Sequence, residues 1–227
     1  MGFVLFNREI PTRLDEILLP EQTAAVVVDV QNDFCSPGGR ADQRGSDLSP
    51  LAEAVKRMTV LLEDARRHGI NVIYIQNTVL PEGRLSPAPD LARRAAMWGE
   101  QDPLITIEGT WGHAIVDTVA PRPGDLVIRK FRQSGFVGTN LELALRAGGC
   151  QAVVVVGVET HGCVEGTARD AMARDFATVL VRDCVASCDR SLHVASLRVM
   201  ETLLPKGWIA DADAVRRAWA ADRPRGR

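Results

Sequence analysis

The sequence predicts a three-layer α/β/α domain around a six-stranded, Rossmann-like parallel sheet. Short apolar runs rich in β-branched residues and lacking a polar face recur along the chain, as strands covered on both sides require. They alternate with helical segments, an order that gives parallel strands and right-handed crossovers. Three of the runs lead directly into an ionisable or reactive segment, which a parallel sheet gathers at its carboxyl edge.

Residues 1–22 read as an irregular N-terminal arm, with a short helical piece at 14–19 bracketed by Pro11 and Pro20. The first strand, 24–28 (AAVVV), runs into Asp29 and a turn-forming segment with Asn32, Asp33, Pro37, Gly38 and Gly39. Residues 51–68 carry Leu51, Ala54, Val55, Met58, Leu61, Leu62 and Ala65 at helical spacing, closed by His68 and Gly69. The second strand, 71–75 (NVIYI), delivers Gln76 and Asn77 to the same edge. Residues 78–112 read as a long irregular segment with a short helix at 91–97, the kind of segment that forms lids and binding loops.

A short helix is expected at 114–119, with His113 as a helix cap or surface residue. The third strand, 125–128, leads into Arg129 and Lys130, and a helix at 140–147 is stopped by Gly148 and Gly149. The fourth strand, 153–156, is broken by Gly157, and the following helix holds Cys163 in its first turn. A fifth strand at 178–181 enters a loop at 182–189, and a helix follows at 191–204. A short sixth strand at 208–210 and a helix at 212–219 complete the order, and the 208–219 end is a candidate contributor to a subunit interface. No repeat or linker divides the chain, so a single domain over 1–227 is expected, with 220–227 as a tail.

The 227 residues are 46% hydrophobic and 25% charged, enough for one sizeable core. A net charge of -2 offers no basic field for nucleic acid. No apolar run approaches the roughly 20 residues of a membrane span. There is no basic, then apolar, leader, and five cysteines in a chain of this length fit a reducing compartment. The expectation is a cytoplasmic protein with no nucleic-acid or membrane partner.

Asp29, Lys130 and Cys163 each follow a buried strand, so the sheet brings them to one edge. A thiol at a helix start faces unsatisfied N–H groups and can attack a carbonyl as thiolate. A neighbouring carboxylate can move its proton, and a lysine can hold both charges. A small buried cysteine at a turn is the plain account of Cys163; the two partners at equivalent strand ends outweigh it. Backbone N–H groups around Glu159 and Cys163 are the candidate oxyanion donors. Gln31, Phe34, Asn77, Trp111 and Phe136 either line the pocket or simply pack, and His161 is a candidate hydrogen-bonding partner of substrate.

The segments VVVDVQNDF, RKFRQSGFVGTNLELALR and VVVGVETHGCVEGTARDA resemble the isochorismatase-like cysteine hydrolases over roughly residues 22–210. That resemblance implies their six-stranded fold, an Asp29–Lys130–Cys163 triad, a thioester intermediate, a cis peptide at Val158–Glu159 and a homo-oligomer, dimer or tetramer. Nicotinamidases of the family bind a metal through an Asp/His cluster after the second strand. QNTVLPEGRLSP has no His there, so no metal and no cofactor are expected. GTWGHAIVDTVAPRPGD and SGFVGTNLELALR are most similar to the ureidoacrylate, biuret and N-carbamoylsarcosine branch. The implied activity is hydrolysis of a small amide or ureido (carbamoyl-type) substrate, with release of ammonia or carbamate. Two alternatives stay open: a vinyl-ether hydrolase with an unused cysteine, and a non-enzymatic binding subunit of the same fold. Cys184 and Cys188 have no matching Cys/His pair at zinc spacing.

Overall fold

A computed structural model describes residues 3–221. The N-terminal arm is more ordered than its sequence suggests. It forms a hairpin of β1 (Phe3–Leu5) and β2 (Arg8–Ile10), followed by the one-turn helix α1 (Leu14–Ile17). The first core strand, β3 (Thr23–Val28), is buried throughout. Its alternating side chains serve two cores, with Ala25 and Val27 on one face and Ala24, Val26 and Val28 on the other.

After β3 come two short helices, α2 (Asn32–Cys35) and α3 (Arg40–Gln43), and then the long α4 (Ser49–Arg67). The apolar stripe of α4 is the one its spacing predicts, and the helix ends at His68 with Gly69 at φ 72°. Strand β4 (Asn71–Asn77) follows, and the long connection after it carries α5 (Ala88–Trp98). In place of the helix expected at 114–119 there is a single 3₁₀ turn at Asp117–Val119. Strand β5 (Leu126–Lys130), helix α6 (Leu141–Ala147) and strand β6 (Ala152–Val158) come next. The last part comprises α7 (Glu165–Met172), β7 (Ala177–Ala186), α8 (Arg190–Leu203), β8 (Ile209–Ala210) and α9 (Ala212–Trp219).

Six strands form one parallel sheet in the order β5-β4-β3-β6-β7-β8. The three-layer α/β/α architecture is therefore as the alternation predicts. Helices α4 and α9 cover one face, and α6, α7 and α8 cover the other. The chain moves outward from β3 to β4 and β5, then crosses back to lay β6 on the other side of β3. The gap beyond the carboxyl ends of β3 and β6 is thus the topological switch point, where open α/β sheets hold ligands.

Gly157 does not end the fourth strand. It stays inside β6 at φ 136°, because a Cβ there would collide with the backbone of Val28. The fifth strand is also longer than expected: β7 absorbs most of the anticipated loop at 182–189. Trp219 is buried, and Trp208 packs against both cores while its indole N–H donates to the Thr12 carbonyl at 3.0 Å. Both rings pack within the subunit, Trp219 fully buried and Trp208 half-buried. Residues 222–227 of the expected tail lie outside the described residues.

Candidate active site

Asp29, Lys130 and Cys163 converge at the switch point. Asp29 is the first residue past β3, and its backbone is in the left-handed region, φ 55°. Lys130 ends β5, two strands away, and its long side chain spans the intervening β4. Lys130 Nζ lies 2.8 Å from Asp29 Oδ2 and 3.1 Å from Cys163 Sγ. The same ammonium donates to the Arg132 carbonyl at 3.1 Å and meets Asn77 Oδ1 at 3.4 Å. Neither Asp29 oxygen takes part in a well-aligned hydrogen bond, although the residue is buried. It is a desolvated carboxylate in ionic contact, with lone pairs open to a proton.

The electrostatics favour a protonated thiol at rest. Burial pushes the Cys163 thiol up to about 12; Lys130 pulls it down, and Asp29 opposes that pull. Burial works against the Lys130 ammonium, but the charges of Asp29 and Cys163 outweigh it and raise its pKa above the ordinary value. A thiol held this way becomes nucleophilic only as its proton leaves, and among the described residues the only carboxylate in contact with the lysine is Asp29.

Cys163 does not sit in the first turn of an α-helix, as its sequence suggests. It belongs to a π-turn, Thr160–Val164, that feeds α7. Wide turns of this kind recur at functional sites. The Val158–Glu159 peptide is trans, since the described residues contain no cis bond. This corrects the cis peptide that the resemblance implies: Glu159 reverses the chain instead, in the left-handed region at φ 58° and ψ 68°. For a non-glycine residue that conformation costs on the order of 1–3 kcal/mol. Neighbours hold the turn. Ser196 Oγ donates to the Thr160 carbonyl at 3.2 Å, and Thr167 Oγ1 donates to the Cys163 carbonyl at 2.7 Å while accepting from Gly135 N–H at 2.9 Å.

A cavity of about 280 Å³ opens over the thiol. Of the residues expected to meet substrate, it takes Phe34, Asn77 and His161. Phe34 packs at a 59° tilt against Trp98, with ring centroids 6.0 Å apart. The His161 ring lies 3.1 Å from Ser187 Oγ and 3.7 Å from the Glu159 carboxylate. The other three expected residues do not line the cavity. Gln31 is fully buried and spends its amide on the Asn77 and His113 carbonyls and on Asn77 N–H, clamping two segments together. Trp111 is exposed, and Phe136 is core, facing Phe176 at 6.2 Å. His113 is neither a helix cap nor a surface residue. It is buried, with Nε2 2.9 Å from Thr78 Oγ1.

Sequence reasoning missed the charged wall of the cavity: Arg44, Arg93, Arg94 and Arg132, and across from them in chemistry Glu159 and Asp189. The arginines come from the connections after β3, β4 and β5, Arg93 and Arg94 on α5, where variable pockets are built. Single residues there carry no periodic signal. Among the described residues, no group of three or more His, Cys, Asp or Glu side chains is gathered as a metal-ligand set. No helix among them is long and apolar enough to cross a membrane.

Residues 23–213 match the isochorismatase domain family. A curated relative, the ureidoacrylate amidohydrolase RutB of Methylobacterium radiotolerans, is 36% identical over 222 residues, covering 94% of this chain and 84% of its own length. Among solved structures, a cysteine hydrolase from Pseudomonas syringae pv. phaseolicola superposes with a TM-score of 0.77 at 24% identity, covering 90% of this chain and 95% of its own. The N-carbamoylsarcosine amidase of Thermoplasma acidophilum superposes with a TM-score of 0.62 at 31% identity, covering 78% of this chain and 92% of its own.

Proposed function

The chain belongs to the isochorismatase family of hydrolases, and we propose that it is a cysteine-dependent amidohydrolase acting on a small ureido or carbamoyl-type amide. Its relatives at this identity are named for amidohydrolysis of ureidoacrylate, and a structural neighbour for hydrolysis of N-carbamoylsarcosine. The observation that carries the cysteine mechanism is the 3.1 Å contact between Lys130 Nζ and Cys163 Sγ, with the buried Asp29 carboxylate 2.8 Å from the same ammonium.

In this reading Cys163 Sγ attacks the substrate carbonyl carbon as its proton passes to Asp29. The C–N bond then breaks, and the proton on Asp29 goes to the departing nitrogen. A thioester remains on Sγ. Water attacks it and gives a proton to Asp29, the C–S bond breaks, and that proton returns to the thiolate. Lys130 stays charged throughout and offsets whichever of Asp29 and Cys163 is anionic. The carbonyl oxygen, negative in the tetrahedral state, is offered backbone N–H groups at Glu159 and Cys163. The strained Glu159 backbone supports this role, since such strain concentrates where geometry must be held.

The test is Cys163→Ala assayed for hydrolysis, followed as ammonia release, of ureidoacrylate, N-carbamoyl amino acids, biuret, nicotinamide and simple amides. Wild type is expected to turn over a ureido substrate and to show the thioester adduct by mass spectrometry after acid quench. The variant is expected to fold and to lose turnover. Substantial hydrolysis by Cys163→Ala would remove the nucleophile from this reading. Activity that survives iodoacetamide would favour vinyl-ether chemistry.

A further inference from the structure

One arginine on the cavity wall is unlike the other three. Arg44, Arg93 and Arg132 are at least partly exposed. Arg44 donates to the Trp98 carbonyl, Arg132 donates to the Phe131 and Leu85 carbonyls, and Arg93 pairs with Asp90 at 2.8 Å. Arg94, on the next residue of α5, is only 4% exposed. Its Nε donates to Asp90 Oδ2 at 2.7 Å. Its two terminal nitrogens donate to nothing among the described residues, yet they are not sealed off. Arg94 lines the cavity that holds Cys163.

A buried guanidinium is costly unless its donors are paired. Asp90 divides its charge between Arg93 and Arg94, and neither Arg44 nor Arg132 has a carboxylate partner among the described residues. The wall therefore carries more positive charge than the protein itself neutralises. The unused edge of a guanidinium is a planar pair of donors that fits the two oxygens of a carboxylate. The opposite chemistry comes from the turn before Cys163, where Glu159 can accept N–H donors of a ureido group.

We propose that Arg94 receives a carboxylate of the substrate, so that the site selects ureido acids over neutral ureas and amides. The inference rests on the amidohydrolase reading for its turnover assay, but not for its binding assay. Asp90 acts as a positioning residue, fixing the Nε edge so that the other edge faces the cavity.

The experiment compares kcat/KM for 3-ureidoacrylate with that for its methyl ester, following loss of the ureido group, in wild type, R94Q and R94K. The acid-to-ester ratio is expected to fall about 10–100-fold in R94Q, the loss of a charge-assisted pair. R94K keeps the cation but loses the planar fork, so its ratio is expected between the two. Acid and ester falling together in both variants, or an unchanged ratio, would overturn the proposal. Binding decides it separately: calorimetry of 3-ureidopropionate with Cys163→Ala protein is expected to show a Kd weakened about 10–100-fold by adding R94Q. Equal binding with and without R94Q, or binding in neither, would overturn it. Binding of the expected kind with no turnover of any amide by wild type would instead sink the amidohydrolase reading and leave the Arg94 site standing.

Discussion

The Lys130 ammonium and the Asp29 carboxylate stand 2.8 Å apart at the edge of the sheet, and both are buried. Such a pair contributes little net stability, because desolvation offsets most of its attraction. Removing one member is a different matter, since it leaves the other charge buried alone. Lys130→Met is expected to destabilise the fold by about 3–5 kcal/mol and to abolish turnover. Adding Asp29→Asn to it is expected to restore most of the stability and none of the activity. Urea unfolding of the two variants checks this; a single variant as stable as wild type would mean that Asp29 is not charged in the folded protein.

Asp29 acts in two opposite directions on the thiol. Its charge raises the Cys163 pKa, while its lone pairs offer the base that the attack needs. Asp29→Asn is therefore expected to lower the pKa of Cys163, leaving Lys130 without its counter-charge. Alkylation of Cys163 by iodoacetamide at pH 8 should then speed up, roughly threefold for each unit of pKa once the weaker nucleophilicity is allowed for. Turnover should fall by about 10²–10⁴, the usual worth of a positioned base. Peptide mass spectrometry separates Cys163 from the other four cysteines. Alkylation and turnover falling in parallel would contradict the two-way role.

The strand ends were legible in the sequence because apolar β-branched runs are unambiguous and each ended on an ionisable residue or a nucleophile-bearing turn. That is why the sequence alone places Asp29, Lys130 and Cys163 at one edge. The geometry inside the turn was not legible. Nothing in VETHGC announces that Glu159 takes the left-handed conformation or that the helix begins with a π-turn. For Gln31 and Phe136 the choice between pocket and packing was not legible for a related reason. Both flank the site in sequence, but one is consumed by backbone carbonyls and the other by a core contact with Phe176. Arg94 falls within the short helix expected at 91–97, but its burial depends on Asp90 one turn earlier, before the start of that expected helix, and no spacing announces the pair.

Gly157 links the fold to the site. It stands in β6 opposite Val28, the residue just before Asp29, and leads into the turn that carries Cys163. A side chain at Gly157 would meet the Val28 backbone, which the sheet cannot move aside. Its φ of 136° adds strain for any L residue. Gly157→Ala is expected to cost roughly 2–5 kcal/mol and to reduce activity out of proportion to the folded fraction. Thermal melts combined with active-site titration by iodoacetamide measure both. A variant within 1 kcal/mol of wild type (roughly the scale of an ordinary surface change) would mean that the two strands separate more easily than their packing indicates.

Stability should also vary with pH on both sides of neutrality, for opposite reasons. Burial holds the His113 and His193 imidazoles below their ordinary value of 6.5. The unfolded chain binds these protons first, so their contribution is present above the unfolded pKa and is lost as pH falls through the folded values. Burial raises Cys188 from 9.0 to about 11 and Cys163 to about 12. Their contribution is complete below the unfolded value and is lost as pH rises from there through the folded values. The unfolding free energy is therefore expected to plateau between about pH 6.5 and 9 and to fall on either side. His113→Gln should flatten the acid limb, because the buried ring bonded to Thr78 is replaced by a group that does not titrate. Cys188→Ala should make the alkaline limb less steep, with Cys35, Cys150, Cys163 and Cys184, whose thiols burial also raises, keeping the rest of its slope. Urea titrations from pH 5 to 10.5 check both, and an acid limb of unchanged slope in a His113→Gln, His193→Gln double variant would show that other groups set it.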